Sequence, residues 1–209
     1  MAYYPLFLDV KNRPCVVIGG GGVALRKVNM LLDHEARVQV ISPEFCAELE
    51  SMIESGRASG VRRGYQSGDL EGAFVVIAAT DDQQANERIA REAQDRGILI
   101  NVVDVPALSN FIVPSYLRRG DLTIAVSTSG SSPALARKIR KKLEAEFGPE
   151  YVQLVSLVEE VRARIKGSAI SGQRWQEALD IEYLLKLIRD GKRDLAKTEL
   201  LASLRKEIR

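Results

Sequence analysis

Short apolar runs alternate with amphipathic stretches along the first hundred residues. Four runs have the length and composition of strands that are buried on both faces: 15–18, 38–41, 74–79 and 98–103. Between the first two runs, five apolar residues recur at helical spacing: Val23, Ala24, Val28, Leu31 and Leu32. A second helix is predicted from a carboxylate cap at Asp82 to a stop at Gly97. Strands alternating with helices predict a parallel sheet with right-handed crossover connections.

The pattern changes beyond Pro106. Two further strands are predicted at 111–113 and 122–126, and a polar loop follows the second. A helix is expected to begin at Pro133, with Ser132 as its cap. From residue 149 onward only helical patterns remain, and they predict three helices: 152–165, 175–188 and 195–204. We therefore expect three parts, with these bounds: 1–110, 111–148 and 149–209.

A glycine-rich loop joins the first predicted strand to the first predicted helix. Residues 17–24 read Val-Ile-Gly-Gly-Gly-Gly-Val-Ala and fit the G-x-G-x-x-A dinucleotide fingerprint at Gly19, Gly21 and Ala24. Gly19 permits the tight turn, Gly21 lets the backbone approach a pyrophosphate, and Ala24 keeps the helix close to the sheet. The free N–H groups of the helix then face the phosphates. The sequence therefore predicts an α/β protein with a Rossmann-type parallel sheet domain, a small α/β segment and an all-helical C-terminal region.

The identity of the dinucleotide depends on the end of the second strand. An Asp or Glu normally ends that strand and holds the ribose hydroxyl groups, whereas an arginine nearby accommodates the 2′-phosphate of NADP. Here the position falls at Ile41, Ser42 and Pro43, with Glu44 just beyond it. The residues alone therefore favour NAD only slightly over NADP.

Composition and charge argue against several other classes of protein. The 209 residues are 45% hydrophobic and 28% charged, which is normal for a globular protein with a core. A formal net charge of +2 argues against a nucleic-acid binder. The apolar runs are too short to cross a membrane, and the N-terminus lacks the pattern of a signal peptide, so we expect a cytoplasmic protein. Cys15, Cys46 and the single histidine, His34, form no metal-ligand spacing, so no resident metal is expected.

Four motifs occur in the order and at the spacing of one family. They read G-G-G-G-V-A-L-R-K at 19–27, A-A-T-D-D at 78–82 with Asn86, N-V-V-D-V-P at 101–106, and S-P-A-L-A-R at 132–137. The opening residues 5–8, P-L-F-L, agree as well. On these residues the chain resembles the precorrin-2 dehydrogenase/sirohydrochlorin ferrochelatase family, which comprises the N-terminal part of siroheme synthase and its stand-alone relatives.

The resemblance implies a function and a set of binding residues. The expected reaction is NAD-dependent oxidation of precorrin-2 to sirohydrochlorin, and it stays open whether the chain also inserts ferrous ion into that product. Together with the fingerprint, the residues expected to contact NAD are Gly19, Gly21, Gly22, Val23, Pro43, Glu44, Thr80 and Asp81. The family also implies a homodimer joined through the segment after Phe111, so that 111–148 is a dimerisation segment. Many siroheme synthases continue into a methyltransferase domain, and because this sequence stops at Arg209 we expect another protein to supply precorrin-2.

Asp104 is the residue to which the resemblance assigns the chemistry. It follows the predicted strand 98–103, at the carboxyl edge of the sheet where ligands bind in such folds. Two roles are open there: a proton acceptor in the oxidation, or a cap of the turn before Pro106. The substrate is a polycarboxylate, and the residues expected to bind it are Asn110, Arg118, Ser132 and Arg137. The alternative for the cations among them is a solvated surface.

Two other functions fit part of the sequence. An NAD-sensing regulatory domain without turnover explains the glycine loop but not the motifs at 101–106 and 132–137. A short-chain dehydrogenase needs a tyrosine with a lysine four residues later, and none of the six tyrosines has that partner. We therefore expect an enzyme, with the sensing domain as the alternative.

Overall fold

The computed structural model describes residues 3–167 and 170–205. The chain divides into two compact units, Met1–Val113 and Pro114–Arg209. The first predicted boundary, between residues 110 and 111, lies three residues from this division. Most of the predicted segment 111–148 falls in the second unit together with 149–209, and the separation of these two into domains stays a prediction.

The first unit is built on a five-stranded parallel sheet. Its elements follow one another as β1 Pro14–Ile18, α1 Gly22–Leu32, β2 Arg37–Ser42, α2 Ala47–Glu54, β3 Ser59–Arg62, β4 Val75–Ala78, α3 Gln83–Asp95 and β5 Leu99–Val102. The strand order is β3-β2-β1-β4-β5, as in a Rossmann-type fold. Ile18 lies in register with Ile41 on one side and with Ala78 on the other, so these strands end at one edge of the sheet. The predicted α/β architecture is confirmed.

Each face of this sheet packs against its own helices. Alternate residues of β1 serve the two faces, since Val17 belongs to the core beneath α1 and α2, whereas Val16 and Ile18 belong to the core beneath α3. The helices contribute small and branched apolar residues to these two cores: Ala24, Val28, Leu31 and Leu49 on one face, and Ala85, Ile89, Ala90 and Ala93 on the other. Because both faces are covered, the central strands are apolar throughout rather than alternating.

Two elements of this unit were not predicted. The edge strand β3 has four residues, of which Val61 is the single large apolar one, and α2 has eight residues, of which Leu49 is the one fully buried. Their apolar patterns are therefore short, since the large apolar residues of α2 are limited to Leu49, Met52 and Ile53. The strand predicted at 111–113 is wrong, because these residues pair with no strand and are followed by Pro114, which lacks an N–H group.

The second unit combines a β-hairpin with a series of helices. Its elements are β6 Ser115–Arg119, β7 Leu122–Val126, α4 Pro133–Glu146, α5 Glu150–Arg164, α6 Gly172–Ala178, α7 Ile181–Arg189 and α8 Arg193–Arg205. The hairpin strands are antiparallel, and the helical core includes Leu157, Leu185 and Leu200. The single helix predicted at 175–188 is wrong, because Asp180 starts a new helix by accepting a hydrogen bond from the Tyr183 N–H at 3.1 Å.

No helix within residues 3–167 and 170–205 is long and apolar enough to cross a bilayer.

Candidate active site

The loop between β1 and α1 turns where three strands end. Gly19 has a φ of +126°, which residues with a side chain rarely adopt, and its N–H donates to the Ile41 carbonyl oxygen at 2.9 Å. A Cβ atom on Gly19 would overlap the carbonyl group of Ala79, whose carbon would lie 2.7 Å away. Gly19 therefore joins the carboxyl ends of β1, β2 and β4, where the strand order reverses and dinucleotides bind in such sheets.

Gly20 holds a second loop against the first. A Cβ atom on Gly20 would overlap the Glu44 carbonyl oxygen and lie 2.7 Å from the Ser42 Oγ. The Gly20 carbonyl oxygen also accepts a hydrogen bond from the Cys46 N–H at 2.8 Å. The exposed Pro43 and Glu44 are therefore fixed beside the glycine loop. The fingerprint gives Gly20 no role, and the run of four consecutive glycines is the one sequence signal for it.

Gly21 and Gly22 border open space. Apart from the adjoining backbone, no atom of the described residues would lie within 4 Å of a Cβ atom on either glycine. Gly21 occupies the N-cap position of α1 but offers no side chain to accept a hydrogen bond. The first N–H groups of a helix have no acceptor within the helix itself. Val23, in the first turn, is 36% exposed. An uncapped helix N-terminus with free space before it fits the pyrophosphate of a dinucleotide.

Thr80 and Asp81 belong to the loop that follows β4. The buried Asn86 fixes this loop, because its Nδ2 donates to the Thr80 carbonyl oxygen at 2.9 Å. The Asn86 Oδ1 has no hydrogen-bond partner among the described residues. Asp82 accepts a hydrogen bond from the Ala85 N–H at 3.0 Å, which confirms the cap predicted for α3. The loop thus stands at the same sheet edge as the glycine loop.

Asp104 lies just beyond β5, the strand next to β4. It is exposed and has a φ of +60°, a left-handed conformation that Asp and Asn tolerate better than most residues with a side chain. The Val103 N–H donates to the Ala78 carbonyl oxygen at 2.9 Å, so the chain stays paired with β4 up to this turn. The Asp104 carboxylate makes no hydrogen bond with a described residue, so it does not cap the turn before Pro106. Asp104 and the glycine loop therefore share the carboxyl edge of one sheet.

Ser109 and Asn110 close the outer side of β5, which is an edge strand. The Asn110 Oδ1 accepts from the Ile100 N–H at 2.8 Å, and its Nδ2 donates to the Ile98 carbonyl oxygen at 2.9 Å. The Ser109 Oγ accepts from the Val102 N–H at 2.9 Å. The Asn110 amide therefore has a structural role that the sequence did not reveal, and its contact with a substrate stays a prediction.

The other predicted substrate residues lie in the second unit. Ser132 caps α4 as predicted, with its Oγ accepting from the Leu135 N–H at 3.2 Å. Arg118 is exposed and donates from Nε to the Gly120 carbonyl oxygen at 2.9 Å, while Arg137 is exposed and forms no ion pair with a described residue. Two further cations of this unit are engaged with other groups: Arg119 and Arg140. Arg118 and Arg137 thus keep N–H groups for an added carboxylate.

Metal-ligating side chains are scattered in the part of the chain that the structure describes. There, no group of three or more His, Cys, Asp and Glu residues could hold a metal ion. Burial raises the pKa of the Cys15 thiol to about 11, so this cysteine is a neutral core residue at physiological pH. His34 is exposed, with its Nδ1 2.7 Å from the Met30 carbonyl oxygen.

Two protein-family models match the chain. The model described as "Putative NAD(P)-binding" matches residues 6–115, which is more than half of the chain. The model described as "Sirohaem biosynthesis protein central" matches residues 119–146. The first match contains the glycine loop and Asp104, and the second contains Ser132 and Arg137.

Individual proteins agree with these models. Siroheme synthase of Thioalkalivibrio sulfidiphilus is 39% identical over 204 residues, which are 96% of this chain and 42% of that protein. Siroheme synthase of Ectopseudomonas mendocina is 48% identical over 167 residues, which are 79% of this chain and 36% of that protein. This chain therefore spans less than half the length of these curated relatives.

A solved structure is similar over almost the whole chain. SirC, precorrin-2 dehydrogenase, superposes with a TM-score of 0.73 and 28% sequence identity, covering 98% of this chain and 100% of that one. Because one family model matches more than half of the chain and a relative that is 39% identical covers 96% of it, the chain belongs to the NAD(P)-binding family of sirohaem biosynthesis proteins that includes siroheme synthase.

Proposed function

We propose that this chain is an NAD-dependent dehydrogenase that oxidises precorrin-2 to sirohydrochlorin. The observation that carries the proposal is the open, uncapped N-terminus of α1 at Gly21 and Gly22, which shares a sheet edge with Asp104. A dinucleotide site and an unengaged carboxylate are the two parts that an oxidation with proton release needs. They occur here in a chain that aligns along nearly its full length with a precorrin-2 dehydrogenase.

The residues present suit NAD as the cofactor. The N–H groups of Gly22 and Val23 would hold the pyrophosphate at the positive end of the α1 dipole. Glu44, held beside the loop by Gly20, would accept hydrogen bonds from ribose hydroxyl groups and repel the 2′-phosphate of NADP. Gly19 and Pro43 would shape the turn around it, and the loop of Thr80 and Asp81 would border the nicotinamide half.

Oxidation takes a hydride and a proton from precorrin-2. Bound NAD supplies the hydride acceptor. Asp104 takes the proton in this proposal, because its exposed carboxylate is bound to no described residue and its oxygen atoms are free to accept. The substrate is a polycarboxylate, for which the exposed guanidinium groups of Arg118 and Arg137 are the candidate partners in the second unit.

An anaerobic assay of precorrin-2 oxidation tests the proposal, with NADH formation followed by absorbance. Asp104→Asn keeps the shape of the side chain and tolerates the φ of +60°, but it removes the basic oxygen. We expect kcat to fall by about 10²–10⁴-fold while NAD affinity, measured by calorimetry, is unchanged. The matched control is Asp33→Asn, an exposed aspartate at the far end of α1, which should keep full activity.

The same assay separates this proposal from its alternative. Tight NAD binding by the wild-type chain without any turnover of precorrin-2 would indicate the sensing domain. Full activity of Asp104→Asn would leave the dehydrogenase standing and remove Asp104 as the proton acceptor. Ferrous ion added after oxidation, with siroheme formation followed by its absorbance, decides whether the chain also inserts iron.

We also propose that the chain forms a homodimer through the segment 111–148. The support is the apolar side chains that α4 leaves exposed, with Leu135 at 49% and Ile139 at 36% exposure on one side of the helix. Sedimentation should give a dimer at micromolar concentration, and Leu135→Glu with Ile139→Glu should give a monomer. Arg137→Glu, a charge change on the same helix outside this apolar stripe, is the control and should stay dimeric.

A further inference from the structure

The edge strand β3 brings an arginine to the carboxyl edge of the sheet. Arg62, the last residue of β3, is the register partner of Ser42, the last residue of β2. Pro43 and Glu44 follow Ser42 directly, and Glu44 is the residue proposed to hold the ribose. In dinucleotide sites an acidic residue at the end of the second strand favours NAD, and an arginine nearby accommodates the 2′-phosphate of NADP. Both kinds of residue therefore stand at this edge.

Two contacts fix the Arg62 side chain next to the ribose-binding loop. Its Nη2 donates to the Glu50 Oε1 at 2.5 Å. Its Cζ lies over the Phe45 ring, 5.2 Å from the centroid, within the range of a cation–π contact. Because Phe45 directly follows Glu44 in the chain, the guanidinium group is held beside the loop that carries the ribose-binding carboxylate.

The Arg62–Glu50 ion pair lies at the surface. The Arg62 side chain is 58% exposed and the Glu50 side chain 31%, so an anion in solvent can reach the guanidinium group. An ion pair this exposed contributes little to stability, so folding alone does not require it. The next residue, Arg63, is engaged elsewhere, since its two terminal nitrogen atoms donate to the Asp69 carboxylate at 2.7 and 2.6 Å. Arg62 is thus the better placed of the two cations for a phosphate near Glu44.

We propose that Glu50 is a positioning residue that sets the cofactor specificity, because it engages the cation that would otherwise bind the 2′-phosphate of NADP. This inference rests on the proposed dehydrogenase function and its NAD site. Glu44 disfavours NADP by direct repulsion, whereas Glu50 acts through Arg62, whose guanidinium group it neutralises and holds over the Phe45 ring. A 2′-phosphate has to compete with the Glu50 carboxylate for the same N–H groups, and the 2′-hydroxyl group of NAD does not.

The test is calorimetric titration of the chain with NAD and with NADP, and it needs no precorrin-2. The two dinucleotides differ by the 2′-phosphate alone, so the ratio of their affinities isolates that group. Glu50→Gln keeps the shape of the side chain and removes its charge. The ratio of NADP to NAD affinity should rise about tenfold, because a guanidinium group released from its carboxylate gains a charge-assisted hydrogen bond to the phosphate.

Glu48→Gln is the matched control, since Glu48 is exposed in the same first turn of α2 and forms no ion pair with a described residue. Its affinity ratio should equal that of the wild type. Loss of the Glu50 charge also removes a direct repulsion of the phosphate, so Glu50→Gln is made in an Arg62→Met background as well. There the ratio should not rise. An equal rise in that background, or in Glu48→Gln, would assign the effect to net charge alone and overturn the inference.

The outcomes separate this inference from the proposed function. A general loosening of the site lowers both affinities and leaves their ratio unchanged, so NAD binding with an unchanged ratio in Glu50→Gln overturns the role of Glu50 and leaves the dehydrogenase standing. A rise that requires Arg62 supports the inference even if the wild-type chain oxidises no precorrin-2, in which case the proposed function fails by itself. A wild-type chain that binds neither dinucleotide overturns both.

Discussion

Replacing Gly20 with alanine should destabilise the glycine loop and the loop after β2 that packs against it. The new Cβ atom would overlap the Glu44 carbonyl oxygen and lie 2.9 Å from the Glu44 carbonyl carbon and 2.7 Å from the Ser42 Oγ, where ordinary contacts begin at 3.4 Å. Because two of these three atoms belong to the backbone, no side-chain rotation relieves the overlap. The loop after β2 must move away and stretch the hydrogen bond from the Cys46 N–H to the Gly20 carbonyl oxygen.

The cost of Gly20→Ala follows from these two effects. Overpacking of this kind costs about 1–3 kcal/mol, and the weakened hydrogen bond adds about 1 kcal/mol. A loss of roughly 2–4 kcal/mol lowers Tm by roughly 5–15 °C in a chain of this size. Thermal unfolding followed by circular dichroism measures it.

Gly21→Ala is the matched variant one residue along. Its backbone has φ −89° and ψ −173°, which any residue adopts, and apart from the adjoining backbone no described atom lies within 4 Å of the new Cβ. We expect a stability change of at most about 1 kcal/mol, since alanine is a poorer cap than glycine. NAD affinity should nevertheless fall at least about tenfold in calorimetry, because the methyl group occupies the space proposed for the pyrophosphate. A stable Gly20→Ala, or a Gly21→Ala that binds NAD normally, would show that this account of the loop is wrong.

Three further results are expected. At pH 8 a thiol reagent should label Cys46 but not Cys15, because burial raises the pKa of the Cys15 thiol to about 11. Both thiols should react after unfolding, and labelling of both in the native protein would contradict the packing of β1. Arg63 lowers the pKa of Asp69, so Asp69→Asn should destabilise the protein at pH 7. The difference in unfolding free energy between this variant and the wild type, measured in urea, should shrink as the pH falls below about 3.8, and a constant difference would refute the pairing. Leu157→Ala should cost about 2–5 kcal/mol in urea unfolding because the side chain is fully buried, and a smaller cost would mean that α5 is not central to its core.

The sequence predicts those parts of the sheet domain in which local pattern and burial agree. The apolar runs that correspond to β1, β2, β4 and β5 are apolar because both faces of the sheet are covered. Asp82 and Ser132 mark the starts of their helices in the sequence because a side-chain cap is a local interaction. The strand β3 and the helix α2 were missed because each buries little, so their place is set by neighbours distant in the sequence.

In the candidate site, too, the sequence reveals the features that depend on local spacing and misses those that depend on distant residues. The fingerprint identifies the glycines that border the crevice, because their spacing is local. Gly20 was missed because its requirement comes from Glu44, 24 residues away in the chain.

The side chains that cover β5 also decide how far the sheet can grow. An edge strand with free N–H and C=O groups is a template on which strands of other molecules add, and this is a common start of aggregation. Here the side chains of Asn110 and Ser109 accept hydrogen bonds from the outward N–H groups of Ile100 and Val102. The Asn110 backbone N–H donates to the Ile100 carbonyl oxygen at 3.0 Å. The chain thus covers the outer edge of β5 with its own residues. At high protein concentration, a strand of another molecule has no free N–H groups of Ile100 and Val102 on which to add.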